Sequence, residues 1–522
     1  MVVGRRRVVK TRQLMPVGQL FGVKTEVNKP VGALQVVKTG PTSSDGRRSL
    51  FVGRPLRPVG KPPSPVRIGA IRLWESPRPG GRGARFDGGS AEKVLSPSGE
   101  VFCYVDRHSL MTLNYRGCFV GLLWVLLAGN RSAAQPAPAP APVVTPLAWS
   151  QRLAFSEMAR RGDSLAWQAN GKAKWDYTAG LFTLALLQLN AVAPDARYVS
   201  FVEQAIGSFV NSNGVIQTYK PEEYQLDAIN PGKTLLALWQ TATNADSPRL
   251  FNACVKLLAQ FDRQPRTFDG GFWHKQRYTN QMWLDGIYMG LPFYAAMGHY
   301  SKSPAAVYAD VAKQIRLIDA HTYDARTGLN FHAWDAAKVQ PWANPVTGCS
   351  SNFWGRAEGW YAMALVDVLD FLPTNHPART EIIATLQKTA RGIVRWQDAP
   401  SGLWWQVLDQ GARSGNYLEA TASAMFVYAL AKGVNHGYLP RELVPAITHG
   451  YAGIVKQFVQ PDGAERWSLT HCCAVAGLGG APANGKYRSG TFDYYISEPV
   501  VENDLKGVGP FILAGLELNR LR

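Results

Sequence analysis

Apolar residues recur at i, i+3, i+4 and i+7 in segment after segment from Leu147 onward, and this helical spacing predicts about twelve helices. They fall near 148–161, 176–190, 197–211, 231–242, 248–261, 284–298, 304–320, 356–372, 378–397, 419–433, 440–458 and 507–521. Stretches rich in Gly, Pro and aromatic residues separate them, and alternating strand-like runs are scarce. A helical hairpin cannot bury its apolar stripe alone, so a domain of this kind over 147–522 implies hairpins packed on their neighbours. Six hairpins closed into a ring make an all-α (α/α)6 barrel, whose loops at one end surround a central cleft. An open solenoid is the alternative, but its repeats should resemble one another, and no fixed period is visible.

No sustained period exists ahead of this region. Residues 1–110 hold 20 Lys/Arg against 7 Asp/Glu, so they carry 13 of the formal charges that make the 522-residue chain +18. Rich in Pro, Gly and Arg, this part is expected to be a disordered basic extension. Its cations are isolated and hardly interleaved with aromatics, which argues against a nucleic-acid partner. Met111 opens a different pattern: Arg116, an apolar run from Cys118 to Ala128, then Ser132-Ala133-Ala134-Gln135. A positive flank, a short apolar core and small residues before a polar one make up a secretory signal peptide, here 111–134. The run is too short to span a bilayer as a helix, so no membrane association is expected after cleavage. An export signal acts at a chain's start, so Met111 is expected to be the natural start. Location is then periplasmic or secreted. Residues 135–146, with Pro and Ala alternating, form a stiff linker without a core of its own.

The cysteines within 147–522 are Cys254, Cys349, Cys472 and Cys473. None shows Cys-x-x-Cys spacing, so no metal or other cofactor is expected, and a zinc site at His471-Cys472-Cys473 is poorly supported. Pairing of Cys349 with Cys472 or Cys473 stays open.

Fourteen of the sixteen Trp lie beyond residue 146, many beside charged groups in the loops. Large amphipathic rings can stack on a sugar's apolar face while neighbouring polar groups take its hydroxyls, so the loops suggest a carbohydrate cleft. Asp285, in Gln281-Met282-Trp283-Leu284-Asp285-Gly286, stands at the entry to a strongly apolar helix. Its flanks would desolvate the acid, as a general acid requires, although Asp there could instead cap the helix. Asp227 stands similarly before the next helix upstream.

The ordered motifs Gly270-Gly271-Phe272-Trp273-His274-Lys275, Gln281 to Gly286, Phe331-His332-Ala333-Trp334-Asp335 and Trp354-Gly355-Arg356-Ala357-Glu358-Gly359-Trp360 resemble glycoside hydrolase family 105. Trp175-Asp176-Tyr177 and Tyr494-Tyr495-Ile496-Ser497-Glu498-Pro499 agree, and the likeness covers about 148–522. It implies an unsaturated rhamnogalacturonyl hydrolase that removes a 4,5-unsaturated uronate from pectin oligosaccharides by hydrating a vinyl ether. It further implies Asp285 as acid and base in turn and Asp227 as a second, positioning carboxylate. His274, Lys275, Trp283, His332, Trp354, Arg356 and Trp360 are the implied substrate contacts. The expected partner is an unsaturated uronic-acid oligosaccharide, and the expected state a monomer or weak homodimer. Glu358 departs from the family pattern, which suggests an altered preference at the neighbouring sugar. The same chemistry on unsaturated glucuronyl units, or a sugar isomerase or epimerase using His274 and His332 on the same toroid, are the alternatives; a glycan-binding protein is a third.

Overall fold

The computed structural model describes residues 144–162, 174–242, 247–480, 485 and 487–521. The expected extension, the export signal and residues 135–143 of the linker lie outside the described residues. Thirteen helices follow in order among the described residues: α1 (Pro146–Arg161), α2 (Tyr177–Val192), α3 (Ala196–Ala205), α4 (Gly232–Thr241), α5 (Ser247–Phe261), α6 (Leu284–Gly298) and α7 (Pro304–Thr322) come first. After them come α8 (Gly355–Val368), α9 (Ala378–Arg395), α10 (Ala420–Asn435), α11 (Val444–Phe458), the short α12 (Phe492–Ile496) and α13 (Leu505–Arg520).

Six of these close a ring, each packed on the next: α2, α4, α6, α8, α10, α13 and back to α2. Each ring helix has an outer companion, α3 on α2, α5 on α4, α7 on α6, α9 on α8 and α11 on α10, while α1 packs on α13. This is the (α/α)6 barrel, closed by pairing its first helix with its last; Ser150 Oγ donates to the Ile512 carbonyl at 3.0 Å across that seam. The division follows from composition. A ring helix meets protein on every side and must be apolar all round, whereas an outer helix needs only a stripe. All 14 residues of α8 are accordingly buried, against 7 of the 18 in α9. Small residues let the ring helices close on one another: a Cβ on Gly180 of α2 would stand 2.6 Å from Pro231 Cα, at the entry to α4.

Three expected boundaries shift for local reasons. The segment 197–211 leaves the α-helix at Ala205 and continues as a 3-10 turn, Gly207–Phe209. Pro445 sits in the first turn of α11, so the helix starts at Val444 behind a 3-10 turn, Arg441–Leu443. Asp504 accepts the Lys506 N–H and starts α13 two residues ahead of the expected 507. Among the described residues, four two-stranded antiparallel sheets, each strand two to four residues long, are too brief to show as alternation in the sequence.

Candidate active site

The ring helices begin at one end of the barrel, and the segments entering them are laced together. Leu226 N–H donates to the His274 carbonyl, His274 N–H to Gln281 O and Leu284 N–H to His332 O, at 3.1, 2.9 and 3.0 Å. The strand Gln281–Trp283 pairs antiparallel with Ala333–Asp335. Asp227, His274, Lys275, Asp285 and His332 thus come from separate segments spread over residues 227–332 that are tied by backbone bonds. Trp175 adds α2 to this set, its indole N–H donating to the Ala228 carbonyl at 2.7 Å. The entries of α8 and α10 join through Cys473: its carbonyl accepts from Arg356 Nη1, and its N–H donates to Glu419 Oε1 at 2.9 Å.

A cleft of about 260 Å³ opens here, lined by Asp227, His274, Lys275, Tyr278, Trp283 and Asp285 among others. A larger groove of about 540 Å³ runs between α2, α3, α4 and α5, but its lining is mostly aliphatic and gathers no set of catalytic groups. The smaller cleft is the one that brings carboxylates, basic groups and aromatic rings together.

Asp285 is the second residue of α6 and the only one of that helix not buried. The N-cap position expected for a capping Asp belongs instead to Trp283, which makes no side-chain cap bond, so Asp285 is not the N-cap residue of α6. Its Oδ2 is buried 3.1 Å from His332 Nε2 without well-aligned hydrogen-bond geometry. No hydrogen bond engages its other oxygen among the described residues. Gly286, next to it, lets the His274 ring pack against the start of α6, since a Cβ there would meet that ring at 2.8 Å.

Asp227 lies on the 3-10 turn Leu226–Ile229 and meets Lys275 Nζ at 2.5 Å and His274 Nε2 at 3.3 Å. Burial pushes the Asp227 pKa upward, but the Lys275 ammonium, helped by His274, outweighs it and holds the carboxyl below its ordinary value. Burial depresses His274 to about 4, so the ring is neutral near pH 7 and Lys275 supplies the countercharge. The rings of His274, Trp283 and Tyr278 stack within 12° of parallel, His274 to Trp283 at 5.0 Å and Trp283 to Tyr278 at 4.7 Å between centroids. His332 meets the same indole edge-on at 5.2 Å, so the two histidines pack against Trp283 from different directions.

His332, Trp354, Arg356 and Trp360 lie behind this lining and are buried. The Arg356 guanidinium stands 4.6 Å over the Trp354 ring, and Trp360 stacks on Tyr288 at 4.9 Å. Burial opposes the charge on Arg356, but the surrounding groups, Cys473, Glu419 and Asp504 among them, favour it and raise its pKa. Glu358 does not face the sugar cleft as its departure from the family pattern suggested. It is fully buried and accepts the Asn330 N–H at 3.0 Å, and burial, with Asp319 nearby, raises its pKa to about 8. The cysteines 254, 349, 472 and 473 are free and buried, so no disulfide joins Cys349 to the adjacent pair. Among the described residues no group of three or more His, Cys, Asp or Glu is placed to hold a metal ion.

Several cleft residues had no role assigned from the sequence. Tyr177, the first residue of α2, lies in the lining, as do Tyr278 and Arg488. Arg488 Nη2 donates to the Tyr278 hydroxyl at 3.1 Å across 210 positions of chain, a link that no local motif signals.

A family model described as Glycosyl Hydrolase Family 88 matches residues 149–522. The chain belongs to this family. It is also 39% identical to a solved family 105 glycoside hydrolase from C. acetobutylicum ATCC 824, covering 71% of this chain and 99% of that one with a TM-score of 0.67. The relationship to family 105 expected from the motifs is thereby borne out, and the protein is a glycoside hydrolase. Protein Atu3128 of Agrobacterium fabrum is 42% identical over 233 residues, 44% of this chain and 97% of that protein. The unsaturated rhamnogalacturonyl hydrolase YesR of Bacillus subtilis is 25% identical over 261 residues, 49% of this chain and 70% of that protein.

Proposed function

We propose that this family 88 glycoside hydrolase removes a 4,5-unsaturated galacturonyl residue from the non-reducing end of rhamnogalacturonan oligosaccharides, by hydration of the vinyl ether. The observation that carries the reading is Asp285: a carboxylate past the N-cap position of α6, set at the cleft with one oxygen against His332. The family and the relative YesR supply the substrate class. Asp285, protonated, gives its proton to carbon 4 of the double bond, which places positive charge on carbon 5 and the ring oxygen. Water adds at carbon 5 while the Asp285 carboxylate takes its proton, which restores the acid. The resulting hemiketal opens to a ketone. Carbon 1, now a hemiacetal, releases the neighbouring sugar and becomes an aldehyde.

Asp227, kept ionised by Lys275, is suited to hold a sugar hydroxyl or the water. Lys275 and Arg488 give the cleft cationic groups for the uronate carboxylate. The Trp283 stack offers an aromatic wall, with Arg356, Trp354 and Trp360 supporting the site from behind. The expected export signal suits an enzyme that meets polymer fragments outside the cytoplasm.

Hydration destroys the conjugated carboxylate, so ultraviolet absorbance reports the reaction. Purified protein should bleach the unsaturated disaccharide produced by a rhamnogalacturonan lyase. Bleaching only of fragments from glycosaminoglycan lyases would assign the glucuronyl substrate instead.

A further inference from the structure

The Tyr495 hydroxyl lies 2.8 Å from His332 Nδ1, and both side chains are fully buried. That nitrogen is the hydroxyl's one hydrogen-bond partner among the described residues. The opposite nitrogen, Nε2, faces Asp285 Oδ2 at 3.1 Å. Trp283 and Trp354 pack against the imidazole, at 5.2 and 4.8 Å between centroids; the titratable groups around it are Asp285 and Tyr495 at its two nitrogens and, across the Trp283 ring, His274, whose buried imidazole is held neutral near pH 7. Trp354 also stacks on the Tyr495 ring at 5.9 Å and 18°, which fixes the phenol in its place.

We propose that Tyr495 is a positioning residue: it holds His332 in the tautomer with its hydrogen on Nε2, and so keeps the working proton on Asp285. The inference rests on the reading of Asp285 as the general acid and base. A buried hydroxyl left without an acceptor is costly, and the only acceptor within reach of this one is Nδ1. Donation from Tyr495 therefore makes Nδ1 the bare nitrogen, and the neutral ring carries its hydrogen on Nε2, the nitrogen on the Asp285 side, 3.1 Å from Oδ2. A further proton arriving at the pair has two places to go. On His332 it would occupy Nδ1 and strand the phenol's hydrogen; on Asp285 it disturbs nothing behind the carboxyl. The phenol thereby stops the pair from settling as imidazolium and carboxylate, an arrangement that would store the proton on the wrong group. Without the hydroxyl, Nδ1 is free to be protonated.

The test is Tyr495→Phe, which keeps the ring and its stacking, with the protein labelled with ¹⁵N-histidine and the His332 signals assigned by their loss in His332→Gln. In wild-type enzyme near neutral pH, His332 should show the neutral tautomer with hydrogen on Nε2. In Tyr495→Phe it should shift toward imidazolium, and kcat should fall about 10- to 100-fold, by analogy with the loss seen when a hydrogen-bond partner that orients a metal-binding histidine is removed, with KM little changed. A wild-type His332 carrying hydrogen on Nδ1, or as imidazolium, overturns the proposal. So does a kcat loss in Tyr495→Phe with unchanged ¹⁵N shifts, which would mark a merely structural role, or an unchanged kcat. The ¹⁵N readout on unliganded enzyme does not depend on Asp285's role, whereas Asp285→Asn tests that role directly, so the two failures are distinguishable.

Discussion

Lys275 Nζ sits 2.5 Å from Asp227 Oδ2, each side chain largely covered, at 13% and 16% exposure. A pair this close at a substrate cleft fixes both groups before the sugar arrives. Asp227→Asn keeps the shape but removes the charge, leaving the ammonium without its anion. If Asp227 positions sugar or water, the variant should lose mainly affinity, with KM raised more than kcat is lowered. A kcat loss matching that of Asp285→Asn would make Asp227 part of the proton transfer itself.

His274 predicts how stability depends on pH. Burial lowers it from 6.5 to about 4, so between those values the unfolded chain binds this proton and the folded one does not. Stability should therefore fall as pH drops from 6.5 to 4, by on the order of 3 kcal/mol from this group. Asp227, whose folded pKa is depressed, loses its contribution at still lower pH, as the carboxyl protonates through its folded value. Melting temperatures of wild type and His274→Gln across this window check the forecast: the variant's curve should be flatter, and parallel curves would contradict it.

Glu358 predicts the opposite sign. Its pKa rises from 4.5 to about 8, so the folded protein holds a proton that the unfolded chain releases, and stability falls as pH rises through that window. Glu358→Gln mimics the protonated acid and can still accept the Asn330 N–H. It should melt higher than wild type, by an amount that grows from pH 4.5 to 8 and reaches on the order of a few kcal/mol. Its kcat/KM should match wild type, because the side chain faces away from the cleft. A changed preference for the neighbouring sugar would contradict this placement.

The helices were legible because each ring or outer helix carries its apolar face in its own sequence; α6 and α10 stand where the periodicity puts them. The short sheets were not, because two to four residues cannot establish an alternation, yet the pairing of Gln281–Trp283 with Ala333–Asp335 is what brings His332 to Asp285. Asp285, Asp227 and Lys275 could be picked from their motifs. The burial of Arg356, and Glu358 turning outward to Asn330, could not: both depend on which face of α8 meets which neighbour. Tyr495 stood in a noted motif, but its bond to His332 spans 163 positions and only the closed ring shows it.

Asp285→Asn tests the central claim most directly. Asn keeps the shape of the carboxyl but can neither donate the proton to carbon 4 nor take one from water. General acid/base catalysis contributes about 10²- to 10⁴-fold, so kcat for bleaching the unsaturated rhamnogalacturonan disaccharide should fall by at least that range. Binding of the disaccharide should persist, since Lys275, Arg488 and the Trp283 stack are untouched. A variant that binds substrate and keeps more than about a tenth of wild-type turnover would contradict the account, since even the weakest general-acid role costs more than that.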